Sequence, residues 1–574
     1  MDLTIRIGGE AGQGLQLIGG LLARYLARQG YEVFTHQDYM SRIRGGHNFY
    51  QIRLADRPIS ASRQQADILV ALDRTTIDNH RQSLAGDGVV IYDPEMCGGE
   101  PDGREFLQVP ITGITEKLEI APIMGNSVAV GAVLGLLDLD PAPLGELFGE
   151  FIHRKTAEII ATNVSAAQAG RDFVGREYPE RLGLRLSRPP DRKLLLINGN
   201  QAIGLGTLIS GCRFFAAYPM TPSTGIMIYL AGQAEKHGLV IEQAEDEIAA
   251  VNMAIGASFG GVRAMTATSG GGFALMTEGI SLAAMTETPL VIAEVQRPGP
   301  ATGLPTRTEQ GDLNFVLHGG HGEFPRVVFT PGTPEQALYL TNKAFHLAEK
   351  YQIPVIVQSD QYLADSQWTF SGFDRERLVY EDFRLRGPAL AKLESYQRYA
   401  PSDSGISPLA VPGASPHLVV ADSDEHDRDG HIIEDAETRN EMVRKRLFRK
   451  LPLLRQEIAP PSLEGHPEPE VLLVGFGSTY GVMKEVVAEL GGNRAVALLH
   501  FSEVCPFPPP EKFDYPQLLQ RARRVICVEN NATGQFARLL KAEIGFDCPH
   551  RINKYDGRPF TVEGLLGELN DHLG

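Results

Sequence analysis

The chain has 574 residues, long enough for three to four domains at about 150 residues each. Hydrophobic residues make up 43% of it and charged residues 22%, a balance that supports a large core and excludes global disorder. With 54 Lys and Arg against 71 Asp and Glu, the formal charge of -17 argues against a nucleic-acid or anionic-membrane binder, because either needs a basic face.

Five cysteines are spread along the chain (Cys97, Cys212, Cys505, Cys527 and Cys548). None forms a CxxC pair, so no zinc or iron–sulfur ligand set and no metal site is expected in this chain. Few cysteines and no signal peptide predict a reducing, cytoplasmic setting. No apolar run of about 18 residues offers a membrane span.

In chain order, a strand at Leu3–Ile7 leads into the turn Gly9-Glu10-Ala11-Gly12-Gln13-Gly14 and an amphipathic helix beginning near Leu17. Strands follow at Glu32–Thr35, Phe49–Leu54, Ile68–Ala71 and Val89–Tyr92, an alternation that predicts a mostly parallel sheet covered by helices. Glycines between a strand and a helix let backbone N–H groups approach a phosphate at the positive helix end, although a tight turn needs them as well. A nicotinamide site would want an acidic residue ending the second strand, and Glu32 begins it. Met40–Asn48 adds Arg42, Arg44, the pair Gly45-Gly46 and His47, a set that suits a phosphate or a solvated loop.

The proline-bearing, basic stretch 181–193 reads as a linker, after which a second α/β unit opens at Leu194–Ile197 and continues through Val355–Gln358. Within it, Tyr218-Pro219-Met220-Thr221-Pro222-Ser223-Thr224 stacks hydroxyls in a proline-stiffened loop that could be aimed at an anion. Glu245-Asp246-Glu247 precedes an Ala/Gly-rich helix, where carboxylates also favour the helix dipole without any function. Thr268-Ser269-Gly270-Gly271-Gly272-Phe273 and Arg297-Pro298-Gly299-Pro300-Ala301-Thr302-Gly303-Leu304-Pro305-Thr306 are two further loops of the same kind. Ala400–Pro416 reads as loop, Glu437–Ile458 as a helix studded with Arg and Lys, and Val471–Val474 opens a last unit with a strand at Val525–Val528. No short-period repeat occurs, which excludes a solenoid.

Taken together, Tyr218–Thr224, Glu245–Ala250, Thr268–Phe273 and Gly299–Thr306 make the chain resemble the α subunit of the 2-oxoacid:ferredoxin oxidoreductases, in the arrangement with the γ domain fused to its N-terminus. Glu425-His426-Asp427 with Gly430-His431, and Glu529-Asn530-Asn531-Ala532-Thr533-Gly534-Gln535, add support. The Glu-His-Asp stretch is most similar to the 2-oxoglutarate branch. The resemblance implies three α/β domains: a γ-like, coenzyme A-docking domain over 1–182, a thiamine-diphosphate pyrimidine-binding domain over 194–395, a linker with a basic helix over 396–464, and a transketolase C-terminal-like domain over 465–574.

The reaction it implies is oxidative decarboxylation of a 2-oxoacid, most readily 2-oxoglutarate to succinyl-CoA, with coenzyme A as co-substrate and ferredoxin as electron acceptor. Run in reverse it would fix carbon dioxide. A pyruvate- or branched-chain-specific member is the alternative within the family; a nicotinamide-dependent dehydrogenase and a non-catalytic subunit are rivals outside it.

By position in the family motifs, Glu247, with Glu245 as competitor, would activate thiamine diphosphate through its aminopyrimidine ring, a task that calls for a dry carboxyl. Ser269 would contact the cofactor. Thr221 and Arg297 would hold the substrate carboxylate, and Thr306 falls at another substrate-pocket position. Gly12, Gly14, Arg44 and Gly45 would meet coenzyme A, with Ala11 standing where many members have glycine. No magnesium–diphosphate motif is present: Gly86-Asp87-Gly88 runs into a strand at Val89, the next asparagine is Asn126, and a surface turn is expected there. The resemblance therefore implies a separate β subunit bearing Mg2+ and a 4Fe-4S cluster, and a dimer of αβ units.

Overall fold

The computed structural model describes residues 1–40, 45–99, 101–151, 156–181, 186 and 192–573. Arg44 and most of the expected linker 181–193 lie outside them. The chain divides into two compact units. The first comprises Met1–Ile197 with two later segments, Ser366–Gly372 and Thr561–Asn570; the second comprises Asn198–Asp365, Phe373–Phe560 and the last residues.

The first unit is built on an eight-stranded sheet, in the order Phe106–Gln108, Leu84–Tyr92, Ala66–Ala71, Asp2–Glu10, His47–Ala55, Glu32–Asp38, Gln367–Phe370 and Leu195–Asn198. The half from Asp2–Glu10 to Phe106–Gln108 is parallel. His47–Ala55 runs antiparallel to both of its neighbours, which corrects the expectation of a mostly parallel sheet. The short connection 39–46 has no room for a crossover helix, so the chain turns straight back on itself. Gly86-Asp87-Gly88 is likewise corrected: it lies inside the strand Leu84–Tyr92, next to a register shift, and is not a turn.

In the second unit a seven-stranded sheet runs Glu503–Cys505, Val327–Phe329, Pro354–Asp360, Leu290–Gln296, Ala264–Thr268, Phe214–Ala217, Val240–Gln243. All its pairings are parallel except at the edge, where Glu503–Cys505 is antiparallel to Val327–Phe329. Leu290–Gln296 and Pro354–Asp360 are buried throughout, as central parallel strands covered on both faces must be. A five-stranded sheet centred on Val471–Phe476 follows, and its inner strands are also parallel. One apolar core serves both sheets, joining Val251, Phe273 and Ile292 to Leu472, Phe501 and Phe536.

The basic stretch 437–458 is helical but not uniformly so: Ala436–Val443 and Lys450–Glu457 are α-helical, and Arg444–Arg449 is a π-helical turn. The wider turn swings Lys445 and Lys450 toward one side. Both reach the buried Glu287, at 2.6 and 2.5 Å.

Candidate active site at the strand ends

The order of the central sheet places a switch point between Phe214–Ala217 and Ala264–Thr268: from the first the chain moves outward to Val240–Gln243, from the second inward to Leu290–Gln296. Loops leaving two such strands diverge and open a crevice at their carboxyl ends, where ligands of open α/β sheets bind. Tyr218–Ser223, Ala244–Asp246, Ser269 and Arg297 onward all follow the carboxyl ends of these strands.

Arg297, half-buried, donates from Nη1 to the carbonyl of Thr221 at 2.7 Å, which joins the two loops expected to hold a substrate carboxylate. The guanidinium has further N–H donors for an incoming anion. Asn200 Nδ2 secures the same turn through the Pro222 carbonyl at 3.0 Å. Ser223 is not available to a ligand, because its buried hydroxyl donates to the Met220 carbonyl at 2.7 Å. Thr306 lies further along the Arg297 loop, where its carbonyl accepts from Arg307 Nη1 at 3.2 Å. The contacts joining Arg297 to Thr221 do not extend to it.

The two competing glutamates separate clearly. Asp246 caps the helix Glu247–Phe259 by accepting the Ala249 N–H at 2.7 Å, so Glu247 is the first helical residue and Glu245 lies outside the helix. Glu247 is 3% exposed, whereas Glu245 is exposed. One Glu247 oxygen accepts from Thr268 Oγ1 at 3.5 Å. Ser269, fully buried, stands at the start of the helix Gly270–Met285, and its hydroxyl has no partner among the described residues. A buried hydroxyl left unpaired is costly unless a ligand satisfies it.

Two of the three glycines after Ser269 have a steric reason. A Cβ on Gly272 would lie 2.6 Å from the Glu247 carboxyl carbon, and one on Gly270 would lie 2.7 Å from that of Asp312. Asp312 was not singled out in the sequence. Burial pushes its pKa up to about 6 against the opposing pull of Glu294 and Arg297. Glu294, fully buried on the strand that leads into Arg297, is raised well above the usual carboxyl range by burial and by the Asp312 charge.

In the first unit, Gly12 and Gly14 both have positive φ, 100° and 76°, in the turn that opens the helix Leu15–Arg28. The Ala11 N–H donates to the Gly46 carbonyl at 3.2 Å, so this turn and the loop containing Gly45 (φ 66°) are neighbours. Gly12 and Gly45 have open space where a side chain would be. Beside them is a chain of donors of which the sequence pointed only to His47. Arg6 Nη1 approaches His80 Nδ1 at 3.2 Å, so that nitrogen accepts and the His80 proton sits on Nε2. His80 Nε2 then donates to His47 Nε2 at 2.8 Å, which leaves the His47 proton on Nδ1, a buried donor without a partner among the described residues. Burial and the Arg6 charge lower the His80 pKa to about 3, so the ring stays neutral.

In Glu425-His426-Asp427 the first two residues make packing and ion-pair contacts. Glu425 pairs with Arg446 and Arg439, and His426, fully buried, lies against Tyr399 with ring centroids 3.9 Å apart and the rings tilted by 39°.

A glycine-cradled carboxyl, an orphaned hydroxyl and an arginine at a switch point define a cofactor-binding α/β enzyme domain. Comparison with known proteins makes this specific. Residues 206–445 match the family model described as "Pyruvate flavodoxin/ferredoxin oxidoreductase, thiamine diP-bdg", and residues 4–173 match "Pyruvate ferredoxin/flavodoxin oxidoreductase". The 2-oxoacid:ferredoxin oxidoreductase subunit alpha of Sulfolobus sp is 32% identical, over 98% of this chain and 96% of that protein. The 2-oxoglutarate oxidoreductase subunit KorA of Mycobacterium tuberculosis is 30% identical, over 98% and 90%. The solved 2-oxoglutarate:ferredoxin oxidoreductase of Magnetococcus marinus, with 2-oxoglutarate, coenzyme A and succinyl-CoA bound, superposes with a TM-score of 0.91 at 31% identity, covering 100% of both chains. The chain belongs to the family of 2-oxoacid:ferredoxin oxidoreductase α subunits.

Proposed function

We propose that the chain is the α subunit of an enzyme that oxidatively decarboxylates 2-oxoglutarate with coenzyme A, giving succinyl-CoA and carbon dioxide and reducing ferredoxin. The observation that carries this reading is the buried Glu247 carboxyl beside Thr268 and the unpaired Ser269 hydroxyl, at a switch point whose next loop presents Arg297. The choice of 2-oxoglutarate among 2-oxoacids is supported by the ligands in the Magnetococcus marinus structure and by the name of the Mycobacterium relative.

Thiamine diphosphate, when bound, supplies the electron sink for decarboxylation. The buried Glu247 carboxyl would hydrogen-bond the cofactor ring, and Ser269 Oγ offers the hydrogen bond it lacks in the chain itself. Arg297 and Thr221 orient the substrate carboxylate. Gly12, Gly14 and Gly45, with His47 Nδ1–H beside them, are the proposed contacts of coenzyme A in the first unit, and Arg44, which lies outside the described residues, is a fourth.

A β subunit completes the site, bringing Mg2+ and the 4Fe-4S cluster that leads electrons to ferredoxin. Tyr218, Ile248, Leu275 and Leu304 support it, for they leave large apolar side chains exposed on the loops and helices around Glu247. The proposed assembly is a dimer of αβ units.

The test is hydrogen–deuterium exchange at the thiamine C2 position in the α chain co-purified with its partner. Glu247→Gln slows exchange by about three orders of magnitude, on the scale of other electrostatic activation effects. Glu245→Gln has little effect. Exchange that slows only in Glu245→Gln transfers the role to Glu245, and exchange unaffected by either removes the cofactor from this loop.

A further inference from the structure

The Glu529–Gln535 motif of the last sheet has no part in the chemistry above, yet its contacts converge on the substrate loop. That loop leaves the strand Leu290–Gln296 and is closed at its base, where the Asp312 N–H donates to Gln296 Oε1 at 2.9 Å. Just before this closure it is gripped from the other sheet. Gln310 and Asn530 exchange two hydrogen bonds: the Gln310 N–H donates to the Asn530 carbonyl at 2.6 Å, and the Asn530 N–H to Gln310 Oε1 at 3.0 Å. Gln535 uses both ends of its carboxamide, accepting the Asn314 N–H at 2.8 Å and donating to the Gly311 carbonyl at 2.6 Å.

The gripping turn is itself stiff. Asn531 Oδ1 accepts the N–H groups of Thr533, Gly534 and Gln535. The fully buried Glu529 carboxylate accepts those of Phe536 and Ala537, and also Asn531 Nδ2. A rigid turn that spends its own donors and acceptors on holding still, and then presents Gln535 and Asn530 to one loop, has the form of a clamp.

We propose that Gln535 and Asn530 are positioning residues for the 2-oxoacid: by fixing residues 310–314 they fix the loop that carries Arg297 and Thr306. The inference rests on the reading of that loop as the substrate loop. Displacement of a substrate-positioning group by a fraction of an ångström weakens binding without touching the chemistry.

The experiment uses the α chain co-purified with its partner subunit and steady-state kinetics with 2-oxoglutarate. Gln535→Glu keeps the shape of the side chain but, ionised, turns an oxygen anion toward the Gly311 carbonyl. Protonated, it regains an O–H donor and keeps the acceptor for Asn314. Gln310→Glu tests the same clamp from the loop side, because Gln310 Nε2 donates to the Phe476 carbonyl at 2.9 Å. The expected result is a KM for 2-oxoglutarate raised about tenfold at about pH 8, falling back toward wild type at about pH 6, with the KM for coenzyme A unchanged. Gln535→Leu cannot be repaired by protons, so its KM stays raised at both values. Arg297→Ala is run alongside. If it raises the KM for 2-oxoglutarate while the glutamine variants do not, or if their defect lacks the pH dependence, the clamp is refuted and the substrate loop stands. If Arg297→Ala also leaves KM unchanged, the substrate-loop reading fails, and the clamp fails with it.

Discussion

Gly272→Ala is the smallest change that tests where the carboxyl chemistry sits. The new Cβ would overlap Thr268 Oγ1 and Glu247 Oε1 and stand 2.6 Å from the Glu247 carboxyl carbon, where ordinary contact begins at about 3.4 Å, so the carboxyl and the Thr268 hydroxyl must both retreat by about 1 Å. Helix propensity works the other way: alanine in place of glycine stabilises a helix by about 0.5–1 kcal/mol, which offsets part of the steric cost. Stability should therefore change little. Turnover should fall about 100-fold, the size of loss that a shift of about 1 Å produces in a positioned group. The control lies one residue away, since a Cβ on Gly271 would meet nothing nearer than the Ala301 carbonyl at 3.9 Å. Gly271→Ala should keep full activity and melt slightly higher. Thiamine C2 exchange and thermal melting, measured on both variants with the partner subunit present, decide the matter. Wild-type exchange in a folded Gly272→Ala enzyme would refute the placement of Glu247 at the reacting centre.

Two further outcomes concern buried charge. Glu287→Gln strands Lys445 and Lys450, and should lower stability by about 3–5 kcal/mol, read as a shift in denaturant midpoint. The two lysines and Arg398 hold the Glu287 carboxyl far below the usual range against the effect of burial, so its stabilisation is complete above the unfolded carboxyl value, about 4.3, and is lost as pH falls toward the folded one. The loss on mutation should therefore be largest near neutral pH. Asp312 behaves in the opposite sense. With its pKa raised to about 6, the folded state holds a proton that the unfolded state has released, so stability falls as pH rises from about 4 to about 6. Asp312→Asn should flatten that part of the pH–stability curve, and an unchanged slope would show that Asp312 ionises freely.

The sequence carried the architecture wherever local pattern decides structure. The stretches Val355–Gln358 and Val471–Val474 marked α/β units in the sequence, and both lie within fully buried strands. The antiparallel half of the first sheet was not legible, because alternation of strands and helices says nothing of direction when a connection is as short as 39–46. Register was the obstacle at the site. Glu245 and Glu247 differ only in which residue caps the helix, and that was settled by the bond from the Ala249 N–H to Asp246. Asp312 and Glu294 left no signal at all: each is a single carboxylate in an unremarkable stretch, brought to the site by the strand Leu290–Gln296 and by a loop closing on Gln296. Gly270 and Gly272 were visible as part of a run, and their purpose becomes evident only once the two carboxyls are seen against them.

On the proposed reading, the charges around Arg297 make both carboxyls matter to an anionic substrate. Arg297 bonds the Thr221 carbonyl with one N–H and retains donors for a second partner. Two carboxyl groups, Asp312 and Glu247, lie close enough to oppose the lowering of its pKa that burial causes. An arriving carboxylate therefore meets one cation already shared with two potential anions. A proton added to Asp312 removes a competitor for the guanidinium and, on the proposed reading, strengthens its hold on the substrate. The glycines at 270 and 272 leave the room these carboxyls occupy, so a Cβ at either position would alter the field at Arg297 together with the placement of the acid. That coupling is why a run of glycines between the two carboxyls belongs to the chemistry of the site as well as to its packing.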